Sequence, residues 1–263
     1  MLIENTLYGE VDKVNIAVKR LQLHEPPEGY YVAFSGGKDS CVVLDLCKRA
    51  GVKFDAHYNL TTVDPPELVR FIREQYPEVE KHRPELSMWQ LIVKKKFPPT
   101  RFSRYCCQYL KEQGGENRVV VTGVRHAESA RRSKRKLVET CNNRNGKSFL
   151  HPIIEWSDAE VWEYIKKYNI SYCFLYDKGF KRLGCIGCPL STQSNRKRDF
   201  LIWPAYKKLY CLAFEKMLKA RQDAGMPFEN FTKGEEVFKY WMEIPTKQGG
   251  NQSLFGLDGD VML

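Results

Sequence analysis

An α/β fold, with a parallel doubly wound sheet and a C-terminal helical extension, is what this 263-residue sequence predicts. Three observations predict it. The β-prone stretch Tyr30-Tyr31-Val32-Ala33-Phe34 runs into Ser35-Gly36-Gly37-Lys38-Asp39-Ser40, and Val42, Val43, Leu46 and Cys47 then follow at helical spacing. Val119-Val120-Val121 is a continuous apolar run of the kind found in strands covered on both faces. Strand-like and helix-like segments alternate around these two, as a parallel sheet with crossover helices requires.

The elements follow in order. Glu10 to Leu23 carries Val11, Val14, Ile16, Ala17 and Leu21, the pattern of an amphipathic helix, and Pro26, Pro27 and Gly29 end it. Val52 to Leu60 reads as a strand after the stop at Gly51. Thr61 to Glu67 opens a helix that runs through Tyr76, with Pro66 in its first turn and Glu67 at its positive end. Lys81 to Pro84 reads as a short strand and Met88 to Lys96 as a helix, which Phe97-Pro98-Pro99 breaks. Thr100 is a candidate cap for a helix carrying Arg101, Arg104, Cys106 and Cys107. Arg118 to Thr122 is a strand, Ser133 to Lys147 an exposed loop or hairpin, and Phe149 to Ile154 the last strand. Ser157 caps a helix from Asp158 to Tyr168 with acids early and lysines late. Asp199 to Ala224 reads as one long helix and Glu235 to Glu243 as another, while the tail from Gln248 has few core residues and reads as mobile. The change of character past Cys188 divides the chain into 1–190 and 191–263.

The loop from Ser35 to Ser40 has the chemistry of an anion trap. Gly36 and Gly37 let successive N–H groups converge, the helix start adds partial positive charge, and Lys38 and Ser40 add a cation and a hydroxyl. A phosphate chain is the natural occupant, and Asp39 beside it calls for a hydrated magnesium ion between the two negative charges. The spacing is not that of a Walker A loop, which needs four residues between its first glycine and the Gly-Lys pair.

Composition narrows the classes. Lys plus Arg number 42 against 32 acids, a net charge of +10, which favours a polyanionic partner. No apolar run approaches membrane-spanning length and residues 1–10 carry no export pattern, so a soluble, cytoplasmic protein without a membrane partner is expected. Nine cysteines in such a chain argue for reduced thiols or metal ligands. Cys106-Cys107 and the C-x-x-C of Cys185 and Cys188 make a soft four-thiolate set suited to zinc or iron–sulfur, and the adjacent pair suits the larger 4Fe–4S cube better. Cys41, Cys47, Cys173 and Cys211 read as core, and Cys141 as exposed.

The contiguous Ser35 to Ser40 resembles the PP-loop of ATP pyrophosphatases. Together with Thr122-Gly123-Val124-Arg125, Glu128-Ser129, Arg132, Pro152, Trp156, Asp158, Trp162 and Leu175 to Phe180 leading into Gly184 to Cys188, the order resembles that of the phosphoadenosine phosphosulfate reductase family. The resemblance implies an adenine nucleotide α-hydrolase-like sheet, with a PP-loop nucleotide-binding domain over 1–190 and a helical extension over 191–263. It also implies that Ser35, Gly36, Gly37, Lys38, Asp39, Ser40, Gly123, Arg125 and Arg132 face the nucleotide. Cys106, Cys107, Cys185 and Cys188 are similar to the 4Fe–4S ligands of adenylyl sulfate reductases.

Two departures redirect the expected chemistry, and a third leaves the part of Thr61 to Glu67 in adenine or ribose contact unassigned. The reductases use a cysteine in a late Glu-Cys-Gly motif, whereas Cys211 is the last cysteine here. Their loop is degraded, whereas this one is intact, and Thr61 to Glu67 lacks the Asp-Thr-Gly of the family. The expectation is an enzyme that uses ATP, magnesium and a 4Fe–4S cluster to adenylylate a substrate for sulfur transfer, with Lys38, Asp39 and Arg125 catalytic. Nucleic acid, tRNA or DNA, is the expected substrate, and sulfide or a donor protein the sulfur source. A sulfonucleotide reductase and a non-catalytic, nucleotide-switched nucleic-acid module are the alternatives. The oligomeric state is left open, a homodimer included.

Overall fold

The computed structural model describes residues 1–7, 9–140 and 146–243. Cys141, Arg144 and the tail from Gln248 lie outside the described residues. The chain opens with an antiparallel pair, β1 (Ile3–Thr6) and β2 (Gly9–Asp12), in which Glu4 faces Val11. Helix α1 (Lys13–Leu23) therefore starts later than Glu10. Its start is set by Asp12, whose carboxylate accepts from the N–H groups of Val14 and Asn15 at 2.8 and 3.0 Å.

The predicted parallel sheet follows. The described elements are β3 (Tyr30–Ala33), α2 (Lys38–Ala50), β4 (Phe54–Asn59), α3 (Pro66–Gln75), β5 (Glu80–His82), α4 (Met88–Lys95), α5 (Tyr105–Leu110), β6 (Val119–Val121), β7 (Val138–Thr140), β8 (Ser148–Leu150) and α6 (Asp158–Lys167). The strands lie in the order β5-β4-β3-β6-β8-β7, all parallel except β7, which runs against β8. β3 thus has its chain successor on one side and a strand from far along the sequence on the other, and the crevice at its carboxyl end is where such sheets bind ligands. β7 occupies part of the segment read as a loop or hairpin. β8 stops at Leu150 rather than Ile154, because Pro152 has no N–H to pair and the Ile154 N–H turns back to the His151 carbonyl at 3.1 Å. Helix α2 buries Val42, Val43, Leu44, Leu46 and Cys47, and Gly51 ends it in the left-handed region. Ser157 caps α6 in a reciprocal capping box with Glu160.

The long helix expected over Asp199 to Ala224 is two, α7 (Gln193–Ile202) and α8 (Pro204–Asp223), followed by α9 (Gly234–Glu243). Pro204 cannot continue a helix that precedes it, but it fits the first position of a new one. Thr100 does not cap α5. Its hydroxyl accepts from the Ser103 N–H at 3.0 Å in the preceding turn, and Arg101 and Arg104 stand before the helix.

Two compact units result, and they do not divide at 190. The first contains residues 1–59, 66–82 and 113–183, with the sheet, α1, α2, α3 and α6. The second contains 60–65, 83–112 and the chain from Gly184, with α4, α5, α7, α8 and α9. The cysteine-bearing segments belong with the C-terminal helices because they are bonded to them: the Ile186 N–H donates to the Val63 carbonyl at 2.8 Å, Tyr210 Oη to the Ile186 carbonyl at 3.2 Å, and Trp241 Nε1 to the Pro99 carbonyl at 2.7 Å. Among the described residues no helix is long and apolar enough to cross a membrane.

Candidate nucleotide site and cysteine centre

The loop leaves the carboxyl end of β3 and is closed by the first turn of α2. Gly36 has φ of +70°, and a Cβ there would lie 2.7 Å from Ile72 Cδ1 of α3, so both the turn and the packing require glycine. Ser40 Oγ accepts from the Ser35 N–H at 3.2 Å and donates to the Gly37 carbonyl at 2.8 Å, tying the two ends of the loop together. Gly37 is the N-cap and makes no side-chain capping bond. The Lys38 N–H donates instead to the hydroxyl of Tyr176, at 2.9 Å. A helix start whose Lys38 N–H is held only by a side-chain hydroxyl can give that N–H to an anion.

Four charged groups meet beside the loop. Lys38 and Arg125 are 4% and 2% exposed, so both cations are withdrawn from water. Lys38 Nζ lies 2.9 Å from Asp158 and 3.4 Å from Asp39. Arg125 binds Asp39 through Nε at 2.7 Å, Asp158 through Nη2 at 3.1 Å, and the Trp156 carbonyl through Nη1 at 3.0 Å. Burial works against ionisation of Asp158, but the Lys38 hydrogen bond and the Lys38 and Arg125 charges prevail and hold its carboxyl below the usual range. Gly123 permits this meeting: a Cβ on it would stand 2.9 Å from the Asp39 backbone and side chain. The Arg125 N–H donates to Glu128 at 3.1 Å, and the other oxygen of Glu128 pairs with Arg132.

The second unit holds the four cysteines. Cys106 and Cys107 lie in the first turn of α5, where Arg104 offers no side-chain cap. The Cys106 contact lowers the Cys107 thiol pKa despite burial, with Arg104 assisting, and the same contact raises Cys106. Cys185 and Cys188 flank a turn in which the Cys188 N–H donates to the Cys185 carbonyl at 3.3 Å and the Gly187 N–H to Asp199 at 3.2 Å. The Cys185 thiol donates to Thr61 Oγ1 at 3.5 Å. Cys185 and Cys188 are near enough for their charges to act on Cys106, and all three act on Tyr210. The Cys185 charge raises the Lys111 pKa, and Cys188 acts on Arg196. Four soft donors among three cations fit an anionic thiolate-bound cluster.

Residues 29–191 match the phosphoadenosine phosphosulfate reductase domain, a span that includes the loop, Gly123, Arg125 and the four cysteines. The chain belongs to this family. Among relatives, an uncharacterized protein of Methanocaldococcus jannaschii is 28% identical over 225 residues, covering 82% of this chain and 52% of its own length. The chain therefore spans about half the length of that relative. An adenosine 5′-phosphosulfate reductase of Oceanobacillus iheyensis is 27% identical over 221 residues, covering 76% of this chain and 88% of that protein. The fold is shared with the crystal structure of phosphoadenylyl-sulfate reductase from Candida auris in its phosphate complex, at TM-score 0.51 and 19% identity over 64% of this chain and 87% of that one.

Within this phosphoadenosine phosphosulfate reductase family member, Ser35 to Ser40, Gly123 and Arg125 come together in the first unit as a continuous group. Arg132 is one step removed, bound to Glu128. Cys41, Cys47 and Cys173 are buried as expected, whereas Cys211 is half-buried. Asp158 and Tyr176 stood in the quoted motifs without a role. Their roles depend on contacts 120 and 138 residues away in sequence, which no local pattern reveals.

Proposed function

We propose that this protein binds ATP at the Ser35 to Ser40 loop, adenylylates a substrate oxygen with release of pyrophosphate, and so prepares that substrate for sulfur transfer. The reading rests on one observation: an intact loop with buried Lys38 and Arg125 at the carboxyl end of β3. Two desolvated cations aimed at one place are worth most against charge that develops in the transition state. A phosphate oxygen would take the Lys38 N–H from Tyr176, and the backbone of Gly36 to Ser40 would cradle the leaving pyrophosphate. Lys38 and Arg125 would neutralise the α-phosphate and the leaving group. As they turn to phosphate they release Asp39, which would hold hydrated magnesium; the ion supplies further charge neutralisation.

In the first step the substrate oxygen forms a bond to the α-phosphorus, the α–β anhydride bond breaks, pyrophosphate leaves with the electron pair, and the substrate proton passes to solvent. In the second, sulfide attacks the activated carbon or phosphorus, the new bond to sulfur forms, and AMP leaves with the substrate oxygen and the electron pair; a donor-protein persulfide would in addition need a dithiol reductant to cleave its S–S bond. Cys106, Cys107, Cys185 and Cys188 would hold a 4Fe–4S cluster, which supplies either a sulfur-binding iron or a structural brace. A net charge of +10 supports tRNA or DNA as the substrate.

The test is pyrophosphate release from ATP by anaerobically prepared protein, alone, with bulk tRNA and with duplex DNA. Stimulation by one nucleic acid is expected. Binding of ATP without pyrophosphate in any arm overturns the proposal. The 27% identity to an adenosine 5′-phosphosulfate reductase favours a second reading. Sulfite release from adenosine 5′-phosphosulfate with thioredoxin establishes it.

A further inference from the structure

His57, Glu80 and His82 form a constellation apart from the loop and the cysteines. β4 and β5 run parallel with His57 opposite Glu80 and Asn59 opposite His82. Residues two apart on a strand share a face, so one face of two neighbouring strands carries all three. His57 Nδ1 lies 2.8 Å from His82 Nε2 and 3.4 Å from a Glu80 oxygen, and His82 Nδ1 lies 3.7 Å from the other Glu80 oxygen. One ligand atom from each residue falls within 4.8 Å of the other two.

The groups behind His57 decide which way its lone pair points. His57 Nε2 contacts Asp55, and Arg118 grips both oxygens of that carboxylate at 2.8 and 2.5 Å. A carboxylate so paired is an acceptor, so His57 donates Nε2–H to it and turns the bare Nδ1 toward His82 and Glu80. This carboxylate–histidine relay is the arrangement that orients metal-bound imidazoles. Tyr31 stacks on the His57 ring at 4.1 Å and 7° between planes, which fixes the ring further. The side chain of His57 is 10% exposed and that of Glu80 65%, so the group is anchored on one side and open on the other.

We propose that His57 Nδ1, His82 Nε2 and the Glu80 carboxylate bind a divalent first-row transition metal ion of the zinc class, with an open coordination position facing solvent. The site lies at the ligand-binding end of the sheet, because His57 is in register with Ala33 and its carbonyl accepts the Phe34 N–H at 2.9 Å, one residue before the loop. An ion there offers its open position to an anionic oxygen donor. The proposal stands independently of ATP use.

Zinc and iron contents of anaerobically purified, cluster-loaded protein test it, with Glu80→Gln and His82→Gln as variants at the more exposed positions. The wild type is expected to hold one zinc beyond its iron, and each variant to lose it with iron unchanged. Cobalt in place of zinc is expected to give a ligand-field spectrum without thiolate-to-metal charge transfer, and Asp55→Asn to weaken affinity by about 10–100-fold. Equal zinc in the wild type and both variants overturns the proposal. So does a cobalt spectrum carried by thiolate charge transfer that disappears in Cys185→Ser.

Discussion

His151 is fully buried, with Nδ1 2.7 Å from Thr122 Oγ1 and Nε2 3.2 Å from Arg135 Nη2. Burial first, and the Arg135 charge second, bring its pKa down from 6.5 to about 4. The folded chain therefore resists a proton that the unfolded chain accepts. The neutral ring's stabilisation is complete above 6.5 and is lost as pH falls from there toward 4. Denaturation midpoints measured across that window are expected to fall more steeply for the wild type than for His151→Gln, by up to about 3 kcal/mol. Parallel curves would show that the ring charges without cost. Roles of this kind were the least legible in the sequence. In the sequence alone the runs Arg131 to Lys136 and Arg196 to Arg198 look the same, clusters of cations. Yet Arg196 is 2% exposed, lies 4.1 Å over the Trp241 ring and donates to the Trp241 carbonyl at 3.1 Å, and burial lowers its pKa to about 10. Arg135 pairs with Glu139 at 2.6 Å. Trp241, 45 residues along the chain from Arg196, leaves no trace in a local run of charges.

At the scale of elements, local chemistry carried further. The loop, α2, the Ser157 cap and the Val119 to Val121 strand were legible because each is written in consecutive residues or at one period. The β1–β2 pair, the break at Pro204 and the start of α5 were not, since each is settled by a cap or a pairing that competes with a plausible helix. The cysteine turn gives an element-scale test. Gly187 has φ of +70°, and a Cβ there would stand 2.5 Å from Phe200 Cζ, whereas a Cβ on Gly184 meets nothing within 4 Å. On the proposed cluster, Gly187→Ala is expected to displace the turn bearing Cys188 and lower bound iron, while Gly184→Ala is expected to leave the iron content at the wild-type level. Iron content would read it. Stoichiometric zinc without iron in the wild type would refute the cluster.

For the whole molecule, the charge balance makes nucleic-acid binding a question of salt. Log affinity for the stimulating nucleic acid should fall linearly with log salt. Lys134→Ala and Lys136→Ala, at exposed positions, should each reduce that slope by about 1. Arg196→Lys should leave the slope unchanged, because that side chain faces Trp241. Affinity that is flat across the salt series would remove nucleic acid from the proposed function. The α/β class was legible from alternation alone. The two-unit division was not, because it depends on which segments bond to the C-terminal helices.

The second unit is assembled from three separate lengths of chain, and this sets an order in time. A ribosome delivers Cys106 and Cys107 first, and then 77 residues lie between Cys107 and Cys185, most of them belonging to the other unit. Until Gly184 and the helices after it emerge, the early pair has neither its partner thiols nor the bonds that Tyr210 and Trp241 supply. The proposed four-sulfur centre can thus close only after the segments carrying Cys185, Tyr210 and Trp241 have been made.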